Sequence, residues 1–162
     1  MDAAEGWHDF DVAMVGATSA LAGLVIVAAS VNIGYIVKVP SLTSRLGSGI
    51  AGLVLALTAS AVGLFPGISS LAYGVTVAVA AVLALVFPVE ATRRVYQNPD
   101  HTHRARPVKA GVGFVAPLAY LVGAVLLIAG APSGYVLFAA GSILAIIAAL
   151  IISWVVLVEV LR

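Results

Sequence analysis

Five apolar runs dominate the chain, at about residues 12–38, 46–65, 69–89, 111–131 and 134–161. Each meets or exceeds the roughly 20 residues that a helix needs to cross hydrocarbon. Lipid offers a backbone amide no hydrogen-bond partner, so a crossing segment must satisfy its own N–H and C=O groups, and runs of this length do so as α-helices. The sequence therefore predicts an all-α, polytopic membrane protein, with residues 1–162 forming a single domain of five transmembrane helices. Composition agrees: 62% of the 162 residues are hydrophobic and 9% charged, and the mean hydropathy is +1.16. That leaves too little polar surface for a fold soluble in water. The lack of cysteine excludes disulfides, thiolate nucleophiles, Cys-ligated zinc and iron–sulfur clusters.

Charge placement predicts the orientation. All eight Lys and Arg residues (Lys38, Arg45, Arg93, Arg94, Arg104, Arg106, Lys109, Arg162) lie beyond alternate ends of the runs, whereas Asp2, Glu5, Asp9 and Asp11 crowd the N-terminus. By the positive-inside rule the N-terminus and the turns around Pro66-Gly67 and Pro132-Ser133-Gly134 are expected outside, and loops 38–45 and 90–110 and the C-terminus in the cytoplasm. The first run follows acidic residues and is too long for the apolar region of a signal peptide, so it is expected to remain as a first helix. Trp7, Phe10, Phe65, Tyr73, Tyr135 and Phe138 fall near the expected outer ends, and Tyr35, Phe87, Phe114 and Trp154 near the inner ones, as interfacial belts would require.

Within the runs, small residues predict packing. Gly16, Ser19, Gly23, Ser30 and Gly34 form one stripe on helix 1, and Gly49, Gly52, Ala56, Ala59 and Gly63 form another on helix 2, so these two backbones are expected to approach closely. Ser142, Ala145, Ala149 and Ser153 share a face of helix 5. Pro117 is the proline expected inside a helix, where it should produce a kink. No Asp, Glu, Lys, Arg or His falls in the expected hydrocarbon zone. Proton relays, voltage sensors, intramembrane metal sites and acid–base hydrolysis are thereby disfavoured, and no catalytic residue, cofactor or metal is expected.

The polar residues left in that zone are the candidates for a lining or for interhelical contacts: Asn32, Ser30, Thr58, Thr18 and Tyr120. The Asn32 amide is costly in lipid and should face protein or water, with an interhelical hydrogen bond as the simplest outcome. Thr18, Ala22, Val25, Ala29 and Asn32 lie on a stripe apart from the glycine stripe of helix 1. The Tyr120 hydroxyl, mid-membrane, should find a partner such as a backbone carbonyl of a neighbouring helix.

Loop 90–110 is the extended polar surface. Helix 3 is expected to continue to about Gln97 and stop before Pro99. Arg93, Arg94, Arg104, Arg106 and Lys109 are candidate contacts for anionic lipid headgroups, at about 1 kcal/mol each near a charged surface. Asp100, His101 and His103 offer three potential metal ligands with neither Cys nor a fourth partner, a weak pattern.

The run Trp7-His8-Asp9-Phe10, then Gly16-Ala17-Thr18-Ser19-Ala20-Leu21-Ala22-Gly23-Leu24, Ala28-Ala29-Ser30-Val31-Asn32-Ile33, and Pro40-Ser41-Leu42 with Arg45, resembles the opening of a group of small, uncharacterised multi-pass proteins of the bacterial inner membrane. The likeness covers residues 7–67. Some such sequences are labelled modulators of a membrane-anchored AAA protease, a label not carried over here. The resemblance implies a bacterial inner-membrane location, supplies no catalytic residue and marks Ser30 and Asn32 as the positions of interest. Function is thus expected to be non-enzymatic: a channel-like or passive-transport homo-oligomer, or alternatively an accessory subunit docking another membrane complex. The expected partners are the bilayer, its anionic lipids and a second membrane protein or copy, and not nucleic acid.

Overall fold

The computed structural model describes residues 5–97 and 106–160, and these are helical apart from short connections. After a 3₁₀ turn at Glu5–Trp7 come α1 (His8–Val31), α2 (Ile33–Ile36), α3 (Pro40–Gly63), α4 (Ser70–Ala84), α5 (Val86–Gln97), α6 (Arg106–Ile128) and α7 (Ser133–Val160). Five helical stretches are long and apolar enough to cross a membrane: His8–Val31, Pro40–Gly63, Ser70–Arg94, Gly111–Ile128 and Ser133–Val158. The third combines α4 with most of α5.

Local chemistry explains the boundaries. Asp9 and Asp11 occupy the first turn of α1, where carboxylates complement the positive end of the helix dipole. Pro40 is the first residue of α3, a position that needs no N–H and suits a fixed φ. The Ser69 hydroxyl caps α4 by accepting from the Ala72 N–H at 3.2 Å. At the end of α6 the Ala131 N–H reaches the Leu126 carbonyl and the Gly130 N–H that of Leu127. That closure requires the positive φ of Gly130 (80°), which glycine adopts without a Cβ penalty.

Two spans are interrupted. At Asn32 the backbone turns to φ −110°, ψ 16°, its N–H bonds to Ala29 in a 3₁₀ step, and helical bonding resumes at Ile36 N–H to the Asn32 carbonyl. At Leu85 the cause is Pro88: it has no N–H for the Ala84 carbonyl, so the regular ladder fails there. Pro88 itself is fully buried.

Antiparallel packing builds the bundle. α6 lies against α4 and α7, while α3 lies against α1, α5 and α7. One core cluster, nearer Trp7, contains Ala56, Ala59, Tyr73, Val77, Tyr120, Leu127, Tyr135 and Phe138. The other, toward Arg45, contains Val25, Ile36, Leu42, Leu46, Leu53, Ile152 and Val156. α1 is peripheral: 11% of its most apolar stretch is buried, against 39% for both α3 and α7.

Several expectations need correction. The first span breaks at Asn32 instead of running unbroken to 38. Pro40 and Arg45 belong to α3 and not to a loop, and Arg45 is buried. Pro107 lies inside α6. Tyr73, Tyr135 and Phe138 form core and not an interfacial belt. The closest surprise is α1: Gly16, Gly23 and Gly34 have no atom within 4 Å of where a Cβ would stand, so its glycine stripe faces away from α3. Thr18 and Val25 are the residues α1 buries. In α7, by contrast, Ser142, Ala145 and Ala149 face inward as expected, and α5 is helical as far as Gln97, where the described residues pause before 106.

Candidate functional site

The five polar candidates for a lining or for interhelical contacts do not converge on one place. Thr18 is wholly buried and its hydroxyl donates to the Met14 carbonyl at 2.6 Å. Ser30 is exposed and donates to the Ile26 carbonyl at 2.8 Å. Thr58 donates to the Val54 carbonyl at 2.8 Å. Each hydroxyl is thereby satisfied within its own helix, a common way of lowering the cost of a polar group in lipid.

Asn32 also bonds within its own segment, its side-chain Nδ2 reaching the Ala28 carbonyl at 3.3 Å. This replaces the interhelical bond expected for it. The residue borders a cavity of about 30 Å³ with Val25, Ala29, Ile36, Leu46, Ser153 and Val156, enough for a water molecule, which needs about 10–15 Å³. Ser153 Oγ is buried there without a hydrogen-bond partner among the described residues. Asn32 therefore faces α3 and α7 inside the subunit, at the break between α1 and α2.

Thr58 lines a different feature, an apolar groove of about 400 Å³ between α3 and the α4–α5 span, bordered by Gly47, Val54, Ala80, Leu83 and Phe87. Tyr120 lies elsewhere again. It is fully buried on α6, and its hydroxyl meets Ser142 Oγ of α7 at 2.7 Å, so its partner is a side-chain hydroxyl and not a backbone carbonyl. Ser142 in turn donates to the Phe138 carbonyl at 3.2 Å.

Of the basic candidates, Arg93 and Arg94 are exposed, and Arg94 Nε pairs with Glu90 Oε1 at 2.8 Å across one helical turn. Exposed pairs of this kind contribute about 0.3–0.5 kcal/mol. Arg106 and Lys109 fall in the first turn of α6, while Arg104, Asp100, His101 and His103 lie outside the described residues.

A cluster at the Trp7 end was absent from the expected site. Because α1 begins at His8 and not near residue 12, the Asp11 carboxylate is brought against α3, where a Cβ added at Gly63 would stand 2.6 Å from Asp11 Oδ2 and 2.9 Å from the Tyr73 hydroxyl. Trp7, Phe10, Asp11, Tyr73, Tyr135 and Phe138 surround a small cavity there. The rings interlock: Tyr73 stands 5.9 Å from Tyr135 and 5.1 Å from Phe138, Phe138 5.5 Å from Tyr120, and Trp7 5.9 Å from Phe10, measured between centroids. The Tyr135 and Ser70 hydroxyls meet at 3.2 Å. The available signal was the spacing of Trp7 and Asp11, four residues apart and so on one helical face.

Comparison with known proteins yields no matching family model, curated protein or solved structure.

Proposed function

We propose that this is a non-enzymatic protein of the bacterial inner membrane, with its Trp7 end outside, that works as a homo-oligomer and passes ions or small solutes passively between subunits. One observation carries the reading: the small-residue face of α1, with Gly16, Ser19, Gly23, Ser30 and Gly34, is turned out of the subunit. In lipid such faces allow helix backbones to approach, and a closed ring of them places a pathway on the symmetry axis. Ser19 and Ser30 supply that pathway's hydroxyls, while Asn32, Thr58, Thr18 and Tyr120 serve packing within the subunit. Exposed Arg93 and Arg94 suit anionic headgroups on the opposite face of the bilayer from Trp7.

The test is stoichiometry with flux. Protein in nanodiscs is expected to be oligomeric and, in liposomes, to pass a small solute; Gly23→Leu is expected to dissociate it and abolish flux without loss of helix. A monomer that passes nothing refutes the reading. An accessory role is favoured by one different observation, the apolar surroundings of Asn32 within a single subunit. Native co-purification that repeatedly yields the protein alone counts against that alternative.

A further inference from the structure

The apolar groove between α3 and the α4–α5 span, about 400 Å³ in volume, owes its depth to residue size. Gly47, Ala51, Ala80 and Ala84 leave its floor low, while the exposed side chains of Val54, Leu83 and Phe87 stand at its rim. Nothing in it asks for a polar guest, because the Thr58 hydroxyl is already committed to the Val54 carbonyl. Along α3 the lining runs from Thr58 to Gly47, a length of about 16 Å at the rise of an α-helix. That is about half of the roughly 30 Å of hydrocarbon in a bilayer, the share of one leaflet. The lining starts near the middle of both spans, at Thr58 and Ala80, and ends beside Phe87, away from Trp7. Volume and length together set its cross-section. About 400 Å³ over about 16 Å leaves about 25 Å² on average, whereas an α-helix about 10 Å wide needs about three times as much. A single hydrocarbon chain fits this slot and a second helix does not.

The face that lines the groove on α4–α5 continues past the membrane edge. Helical bonding passes the gap left by Pro88, from the Leu85 N–H to the Ala81 carbonyl and from the Val89 N–H to the Leu85 carbonyl. Ala80, Leu83, Phe87, Glu90 and Arg94 therefore stay on one side, at spacings of three and four. Arg94 stands about 10 Å beyond Phe87 along the axis, and side chains on a helix lean back toward its N-terminus. The polar layer of a bilayer is about 5–8 Å deep on each side of the hydrocarbon, so this guanidinium is placed at the level of lipid phosphates. Its Nε pairs with Glu90 Oε1, and among the described residues its Nη groups have no other partner. A guanidinium has donors enough for a carboxylate and a phosphate at once.

We propose that each subunit binds one anionic glycerophospholipid, with an acyl chain laid in the α3/α4–α5 groove and the phosphate on the Nη groups of Arg94. The site rests on the headgroup role given above to the exposed arginines, and not on the oligomer or the flux, since it is complete within one subunit. Glu90 opposes the anion and tempers the affinity, while Arg93, about a quarter-turn off the groove face, adds only to the local field.

Native mass spectrometry of the full chain, released from a mild detergent, counts bound lipid. Palmitoyl-oleoyl phosphatidylglycerol is titrated against phosphatidylcholine with the same chains. One phosphatidylglycerol per subunit is expected to bind saturably, at least about fivefold tighter than phosphatidylcholine. Arg94→Gln is expected to remove that preference, Arg93→Gln to lower it less, and Glu90→Gln to raise it. Ala51→Phe fills the floor and is expected to weaken both lipids about tenfold or more, whereas Val79→Phe, exposed on α4 outside the groove, leaves them unchanged. Equal binding of the two lipids, unchanged binding in folded Ala51→Phe, or equal losses in the two arginine variants overturns the proposal. A dimer that Ala51→Phe dissociates assigns the groove to a second copy and overturns it as well. Should Ala51→Phe lose its helical circular dichroism, Ala80→Leu decides by the same readings. Lipid is counted on the single subunit, so failure here leaves oligomer and flux untouched, and a monomer that passes nothing leaves this site untouched.

Discussion

The Tyr120–Ser142 pair offers a quantitative test of how polar groups are held in the bundle interior. Tyr120 is 0% and Ser142 2% exposed, and their oxygens are 2.7 Å apart. Since the Ser142 proton goes to the Phe138 carbonyl, the Tyr120 hydroxyl must be the donor to Ser142. The two single substitutions are therefore unequal. Tyr120→Phe removes one neutral bond and leaves Ser142 with its carbonyl partner, a loss of about 0.5–1.5 kcal/mol. Ser142→Ala strands the tyrosine donor where no water reaches it, a loss of about 1–3 kcal/mol. The double variant restores balance by removing both groups, so the losses do not add; coupling of about 0.6–1.7 kcal/mol is expected for such a bond in a membrane interior. Reversible unfolding in mixed micelles, followed by far-ultraviolet circular dichroism, measures all four proteins. A Tyr120→Phe cost larger than that of Ser142→Ala, or additivity within about 0.3 kcal/mol, refutes the donor assignment.

Glycine position should decide the sign of an alanine scan. Gly23→Ala meets nothing within 4 Å and is expected to leave subunit stability unchanged or raise it by up to about 1 kcal/mol through helix propensity; a clear loss in monomeric protein would contradict this. Gly123→Ala puts a methyl 2.8 Å from the Phe138 ring and 3.0 Å from the Gly134 carbonyl, which is expected to cost about 1–3 kcal/mol in the same unfolding assay. Asn32→Leu exchanges a bond within its own segment for contacts with Val25, Ile36 and Val156, so a change within about 1 kcal/mol is expected. A loss of about 3 kcal/mol or more would show that the amide holds another helix.

The helical class and the number of spans were legible because they depend on apolar length alone, the property to which lipid responds. Facing was not. The Gly16/Gly23 and Thr18/Val25 stripes of α1 are both small and apolar enough to pack, and nothing in one helix says which of them meets α3. Tyr73, Tyr135 and Phe138 illustrate the same ambiguity, since an aromatic residue near a helix end suits a headgroup interface or a core equally well. Asp11 was hidden by a shift in the start of α1: four residues more of helix bring an acidic tail residue against Gly63 and Tyr73. The break at Leu85 was obscured because Pro88, close to the end of the third apolar run, acts on a carbonyl four residues upstream.

The peripheral position of α1 bears on how the protein is made. α1 is synthesised before α3, the helix it packs against most, and it buries only Thr18 and Val25. Its retention in the bilayer therefore rests on its own apolarity, while the close-packed core of α3, α4, α6 and α7 has to wait for the last helix to be inserted. Membrane integration of this chain and consolidation of its interior are consequently separate events, and a substitution such as Gly123→Ala would spare the first while impairing the second.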